Sequence, residues 1–225
     1  MIQIKNLNLN IKGHLILSDV NMTMQKGKIY GLVGNNGSGK TMLMKCICGF
    51  IHPTSGEVIV NDEVIGRDAD YIKDAGIIIE NPGFIPYYSG MKNLRMLSEI
   101  NGTADKTKIR ETMEICGLNP ELKLPVKKYS LGMRQRLGIA QAIMEEQSVL
   151  ILDEPMNGLD KEGVAAIREL LLKMKEQGRL IILASHNRED IDVLCDEVFE
   201  VEKGKIREII KGELIEYENF ANTTR

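Results

Sequence analysis

Ile29-Tyr30-Gly31-Leu32-Val33-Gly34-Asn35-Asn36-Gly37-Ser38-Gly39-Lys40-Thr41 is the stretch on which the fold turns. An apolar run of strand length, Ile29 to Val33, leads straight into a glycine-rich loop. Met42-Leu43-Met44-Lys45-Cys46-Ile47-Cys48 then continues as a helix that ends near Gly49, with Pro53 barring its extension. The loop satisfies G-x-x-x-x-G-K-[ST] in full, and the strand before it and helix after it supply the context that gives the pattern meaning. Glycines let backbone N–H groups turn inward around oxygen anions, and the helix start adds partial positive charge. Lys40 is placed to reach the β- and γ-phosphates, and the Thr41 hydroxyl to hold Mg²⁺. The expected role of Gly34 to Thr41 is to cradle the phosphates of a nucleotide.

Outward from this loop, short apolar runs alternate with helical patterns. Ile2, Ile4, Leu7, Leu9 and Ile11 alternate with polar residues as in a strand, and Gly27-Lys28 reads as a turn. Glu57 to Val60 and Glu63 to Ile65 form an expected hairpin around Asn61-Asp62, followed by a short strand at Ile77-Ile78-Ile79. From about Asn81 to Tyr129 no strong strand run occurs. Lys92 to Ile100 and Lys106 to Cys116 read as amphipathic helices, the second with Ile109, Met113 and Cys116 on one face and Gly117 and Pro120 beyond it. A helix from Leu131 to Met144 follows, then a strand at Val149 to Leu152. Lys161 to Gln177 is a helix with Val164, Ile167, Leu171 and Met174 inward, stopped by Gly178. Leu180 to Ala184 is a further strand, and Glu197 to Val201 with Lys205 to Ile209 a last hairpin around Lys203-Gly204. The alternation predicts an α/β sheet covered on both faces. The tail beyond Glu216 is expected to fray.

Bulk properties exclude several classes. A chain of 225 residues can bury roughly 70–75% of its unfolded surface. The formal net charge is -3 with 27% charged residues, so no basic excess points to nucleic acid. The longest apolar runs have strand length, far below the ~20 residues of a membrane span. The N-terminal Met1-Ile2-Gln3-Ile4-Lys5 lacks the layout of a secretory signal, so a cytosolic location is expected. Four cysteines, at 46, 48, 116 and 195, and three histidines make no metal-site spacing, which leaves buried thiols in a reduced compartment.

A second cluster of chemistry ends the strand Leu150-Ile151-Leu152-Asp153-Glu154-Pro155. Ligands of open α/β sheets gather at such strand ends. Asp153 is placed to bind Mg²⁺ and Glu154 to polarise the water that attacks a γ-phosphate. His186 follows Ser185 at the end of the next apolar strand, where it can hold the γ-phosphate and the attacking water.

The set of motifs resembles the ATP-binding cassette (ABC) family. The decisive piece is Tyr129-Ser130-Leu131-Gly132-Met133-Arg134-Gln135-Arg136, similar to the family signature L-S-G-G-Q. Asn157-Gly158-Leu159-Asp160 resembles its D-loop, and Glu80 stands where the family usually has the glutamine of its Q-loop. The resemblance covers nearly the whole chain. It implies a P-loop NTPase (RecA-like) core with an N-terminal antiparallel β subdomain and an inserted α-helical subdomain. Residues 1–80 and 130–225 would form that core and 81–129 the insert. It implies ATP and Mg²⁺ as ligands, with Gly34, Asn35, Asn36, Gly37, Ser38, Gly39, Lys40 and Thr41 on the phosphates and Ile11 near the base. Ser130, Gly132, Met133 and Asp160 would meet nucleotide across a head-to-tail dimer. Thr41, Asp153 and Glu80 would be metal ligands, and Glu154, His186 and Lys40 catalytic. It implies a second cassette, identical or not, and an integral membrane permease that holds the chain at the inner face of the membrane, with neither nucleic acid nor direct membrane insertion.

Three departures qualify the resemblance. Leu131 replaces the first signature glycine and narrows the loop's conformations. Glu80 adds a carboxylate near Asp153 and Glu154, whose repulsion needs Mg²⁺ or a proton to offset it. Ile11 lacks the ring that stacks on adenine, and base–aromatic stacking is worth roughly 1–3 kcal/mol in single-strand binders, so weak ATP affinity is expected. Ile79-Glu80-Asn81-Pro82-Gly83-Phe84 together with the signature is similar to the ATPases of bacitracin- and lantibiotic-type peptide export and immunity. A soluble ABC ATPase of DNA repair, translation or cofactor assembly is the rival; the coiled-coil, zinc or tandem-cassette additions usual in those relatives do not appear. A GTPase or small-molecule kinase with the same loop is disfavoured, since no N-K-x-D motif occurs and the signature would go unexplained.

Overall fold

Alternating apolar residues at the N-terminus build the first sheet. β1 (Ile2–Ile11) pairs antiparallel with β2 (His14–Met24) on one side and with β4 (Ser55–Val60) on the other. β5 (Glu63–Val64) closes the expected hairpin, with Asn61 and Asp62 at φ 48 and 70 as its tight turn requires. The structure, a computed structural model, describes residues 1–80, 82–101 and 104–209. The expected fraying beyond Glu216 lies outside them.

The second sheet has six strands in the order β10-β9-β3-β8-β7-β6. β3 (Ile29–Val33), β6 (Ala75–Ile78), β7 (Val149–Asp153), β8 (Leu180–Ala184) and β9 (Glu197–Glu202) are parallel, and β10 (Lys205–Ile209) is an antiparallel edge. Its central strands serve two cores. Leu150, Leu152, Ile181 and Leu183 join one apolar cluster, while Val149, Ile151, Leu180, Ile182 and Ala184 join the other. Burial on both faces explains why these strands are continuous apolar runs.

Six α-helices in the described residues cover the sheets. α1 (Lys40–Cys48) packs with the first sheet, burying Leu43, Met44 and Ile47. α2 (Gly90–Asn101), α3 (Lys106–Ile115) and α4 (Leu131–Ile143) bring Leu94, Ile109, Met113 and Leu137 to the other cluster. α5 (Lys161–Glu176) adds Ile167, Leu171 and Met174, and α6 (Arg188–Leu194) adds Ile191 and Leu194. Val164 packs beside the cluster half-buried.

β2, α6 and a short 3-10 turn at Val126–Lys128 go beyond the sequence reading. β2 escapes it because its ladder with β1 slips register between Leu17 and Val20, with Asp19 at positive φ, so the buried Val20, Met22 and Met24 run out of phase with Leu17. α6 has seven residues, too few for a helical period to show.

Candidate nucleotide site

β3 delivers the glycine loop to the C-terminal edge of the parallel sheet, and α1 carries it away. Gly34 has φ 140, and a Cβ there would lie 2.3 Å from the Val201 carbonyl oxygen. Gly39 caps α1 at φ 119 with no side-chain hydrogen bond and no acidic residue in the first turn, which leaves the helix start open to an anion. Lys40 is buried, and its Nζ donates to the carbonyls of Gly34 (2.6 Å) and Asn35 (3.1 Å). The ammonium has a third donor for a phosphate oxygen. Burial pushes the Lys40 pKa down, against the pull of Glu154 and Asp153. Ser38 Oγ is buried without a hydrogen-bond partner among the described residues. An orphaned hydroxyl, an uncapped helix start and a buried cation on one loop fit a phosphate chain.

Thr41 Oγ1 donates to Asp153 Oδ2 at 2.8 Å, so α1 and β7 bring two predicted metal ligands together. No group of three His, Cys, Asp or Glu suited to a metal occurs among the described residues. A hydroxyl, one carboxylate, phosphate oxygens and water make a set that suits Mg²⁺. Glu80 is placed differently. Ile78 pairs with Leu152, which puts Glu80 beside the Asp153-Glu154 end, yet its carboxylate takes Lys45 Nζ at 2.6 Å. The expected repulsion is thus offset by Lys45, one helical turn beyond Thr41.

Glu154 sits just past β7 at φ 51, its N–H donating to the Ala184 carbonyl at 2.9 Å. That bond draws the end of β8 alongside. The His186 N–H donates to Glu154 Oε2 at 3.3 Å, and His186 Nε2 stands 3.3 Å from Oε1 without hydrogen-bond alignment. Burial raises the Glu154 pKa above the ordinary 4.5; His186 is the strongest opposing influence. A half-buried carboxylate with a raised pKa is suited to accept a proton. A cleft of about 450 Å³ joins the loop to His186, with Asn36, Gly37, Ser185 and Lys203 among its lining.

The signature residues bond elsewhere. Ser130 Oγ caps α4 by accepting the Met133 N–H at 3.1 Å, and Leu131 is 54% exposed. Asp160 caps α5 through the Gly163 N–H and pairs with Arg136, each at 3.1 Å. Among the described residues no hydrogen bond or ion pair links Ser130, Gly132, Met133 or Asp160 to the phosphate loop. Ile11 is half-buried against the cluster under the first sheet. Gln135 was not singled out from sequence. Its Nε2 donates to the carbonyls of Glu154 (3.2 Å) and Pro155 (3.0 Å), tying the signature helix to the carboxylate turn. A bond from side chain to backbone across 19 residues leaves no mark in spacing.

The family described as ABC transporter matches residues 17–157. The chain is 43% identical over 206 residues to the ABC transporter ATP-binding protein YybJ of Bacillus subtilis, covering 92% of this chain and 94% of that protein. It is 38% identical over 210 residues to the bacitracin transport ATP-binding protein BcrA of Enterococcus faecalis, covering 92% and 68%. Among solved structures, a dimeric ATP-binding cassette in a post-hydrolysis state with ADP and Pi superposes with TM-score 0.85 at 21% identity, covering 94% of this chain and 99% of that one. At that identity the likeness speaks to fold.

Proposed function

The chain belongs to the ABC transporter family as an ATP-hydrolysing, ATP-binding subunit, and we propose that it drives a separate membrane permease that exports an antimicrobial peptide or similar amphiphile. The peptide class is supported by the likeness to the bacitracin transport protein and by Glu80 at the Q-loop position. No helix of the described residues is long and apolar enough to cross a membrane, so the permease is a different chain in this reading and holds the subunit at the inner membrane face. Its docking surface is assigned to a groove of about 470 Å³ with Phe50, Pro82, Leu97 and Ile100 in its wall. Phe50 and Ile100 are 57% and 79% exposed, and Ile79 lines the groove one residue before Glu80, so a permease seated there reaches the site.

The residues divide the work as follows. Loop amides, Ser38 and Lys40 hold the β- and γ-phosphates in line. Thr41 and Asp153 would hold Mg²⁺, which neutralises charge on the phosphate oxygens when bound. Glu154 takes the proton of a water whose oxygen attacks the γ-phosphorus while the bond to the bridging β–γ oxygen breaks, giving ADP and phosphate. His186 keeps Glu154 and that water in register. Ser130 and Gly132 of a second cassette close the site from the far side.

The observation that carries this reading is Glu154: half-buried, with a raised pKa, and placed between His186 and the Thr41–Asp153 pair. Glu154→Gln keeps the shape and removes the base, and is expected to lower ATP turnover by ~10²–10⁴. Phosphate release from the purified chain at the wild-type rate would remove Glu154 from the chemistry.

A further inference from the structure

Three polar groups beside His186 are unused by the chemistry above. Asp190, on α6, is 0% exposed. Its Oδ1 accepts from Arg168 Nε at 2.8 Å and Nη2 at 2.6 Å, and its Oδ2 accepts from the Ser185 hydroxyl at 3.0 Å. The Ser185 oxygen in turn accepts the Asn187 N–H at 3.1 Å. Arg168, on α5, also pairs with Glu189 at 3.0 Å. Every member has a partner, and the chain of bonds runs from α5 through α6 into the turn that carries His186.

A buried ion pair of this kind is a costly way to hold a fold together, since apolar residues of similar volume do as well. What it supplies here is direction. His186 lies between Ser185 and Asn187, and both are fixed by the one hydroxyl. The imidazole is 48% exposed, so packing does little to hold it, and its Nε2 stands 3.3 Å from Glu154 Oε1 without hydrogen-bond alignment; the bond that does form, at 3.3 Å to Oε2, comes from the backbone N–H of His186 and so from the turn. The turn itself must therefore aim the ring, and a drift of about 1 Å in a catalytic group can cost 10²-fold in rate.

We infer that Asp190, anchored by Arg168, is the positioning residue for His186 and acts through the Ser185 hydroxyl. The inference rests on the catalytic reading of His186, and the experiment separates the two. ATP turnover and KM are measured on the full-length chain for His186→Ala, Ser185→Ala, Ser185→Thr and Asp190→Asn, with melting temperatures alongside. Ser185→Ala is expected to lower kcat about tenfold or more with KM within twofold of wild type. Its melting temperature should drop by only ~2–4 °C, the shift of one lost hydrogen bond. Ser185→Thr, which keeps the hydroxyl, should restore turnover, and Asp190→Asn should match or exceed the Ser185→Ala loss. If Asp190→Asn does not fold, Ser185→Ala decides alone, because it leaves the Arg168–Asp190 pair in place. Wild-type kcat in Ser185→Ala beside an inactive His186→Ala overturns the relay. Wild-type kcat in His186→Ala removes the catalytic reading of His186, and the relay with it.

Discussion

Glu154 carries two opposed demands in one side chain. Burial favours its neutral form, as does the negative charge of Asp153, while His186 and Lys40 favour the carboxylate. Burial is the largest of these, so the native pKa lies above 4.5. In the proposed role Glu154 acts as carboxylate, so turnover should fall as pH drops through that raised pKa. The acid limb of kcat should therefore stand above the ordinary glutamate value, and in Glu154→Gln that limb should vanish from the residual rate. A thermal melt reads the same shift from the other side. A carboxyl group with a raised native pKa adds its stability below the unfolded pKa and loses it as pH rises through the native one. Glu154→Gln should thus melt higher than wild type at neutral pH, with the gap closing near pH 4.5. Glu80 and Lys45 make a contrast. Glu80 is 64% exposed, and surface pairs are worth about 0–1 kcal/mol, so this pair offsets charge at the strand ends without stiffening them.

At the level of elements, two helix starts lean on each other. A Cβ on Gly132, in the first turn of α4, would lie 2.7 Å from the Gly158 carbonyl oxygen. Gly158, at φ 77 just ahead of α5, leaves the space that Leu131 fills; a Cβ on it would come within 2.5 Å of Leu131 Cγ. Leu131 at the first signature position is thus accommodated by the D-loop glycine. Gly132→Ala must displace backbone, and is expected to lower turnover about tenfold to a hundredfold. Nucleotide affinity of the unpaired chain, titrated at a concentration too low for copies to associate, should stay within twofold, because no hydrogen bond or ion pair joins Gly132 to the phosphate loop of its own chain among the described residues. The elements differ in how readable they were. β3, β7 and β8 were legible because strands buried on both faces are uniform apolar runs, and α5 because its apolar period spans four turns. Bulges hid β2 and brevity hid α6. The site divides in the same way. Gly34 to Thr41, Asp153, Glu154 and His186 sit at strand ends in recognisable order. Lys45, Gln135 and the Arg168–Asp190 pair reach partners 35, 19 and 22 residues away through side chains, and such pairings exist only once the helices are packed.

At the scale of the whole molecule, the proposed site residues fall into two groups that no hydrogen bond or ion pair joins among the described residues. The phosphate loop, Thr41, Asp153, Glu154 and His186 converge at the sheet's edge, while Ser130, Gly132 and Asp160 sit at the starts of α4 and α5, joined to the loop by no hydrogen bond or ion pair among the described residues. A pair of copies related by a two-fold axis would bring each half to its complement, as isologous contacts do. Charge does not forbid it: each chain carries -3, and at physiological salt such surface charges are screened beyond about 8 Å. ATP bridging the halves would stabilise the pair by mass action, and hydrolysis would release it. Glu154→Gln with ATP and Mg²⁺ should therefore scatter light at twice the 25.2 kDa mass of one chain. Wild type should return to the single-chain mass as ATP is consumed. Ser130→Ala in the Glu154→Gln background should weaken the pair by removing a contact made only across the axis. A Glu154→Gln chain that stays at the single-chain mass with saturating ATP would assign the second cassette to a different chain. Mixing in that partner would then restore the doubled mass.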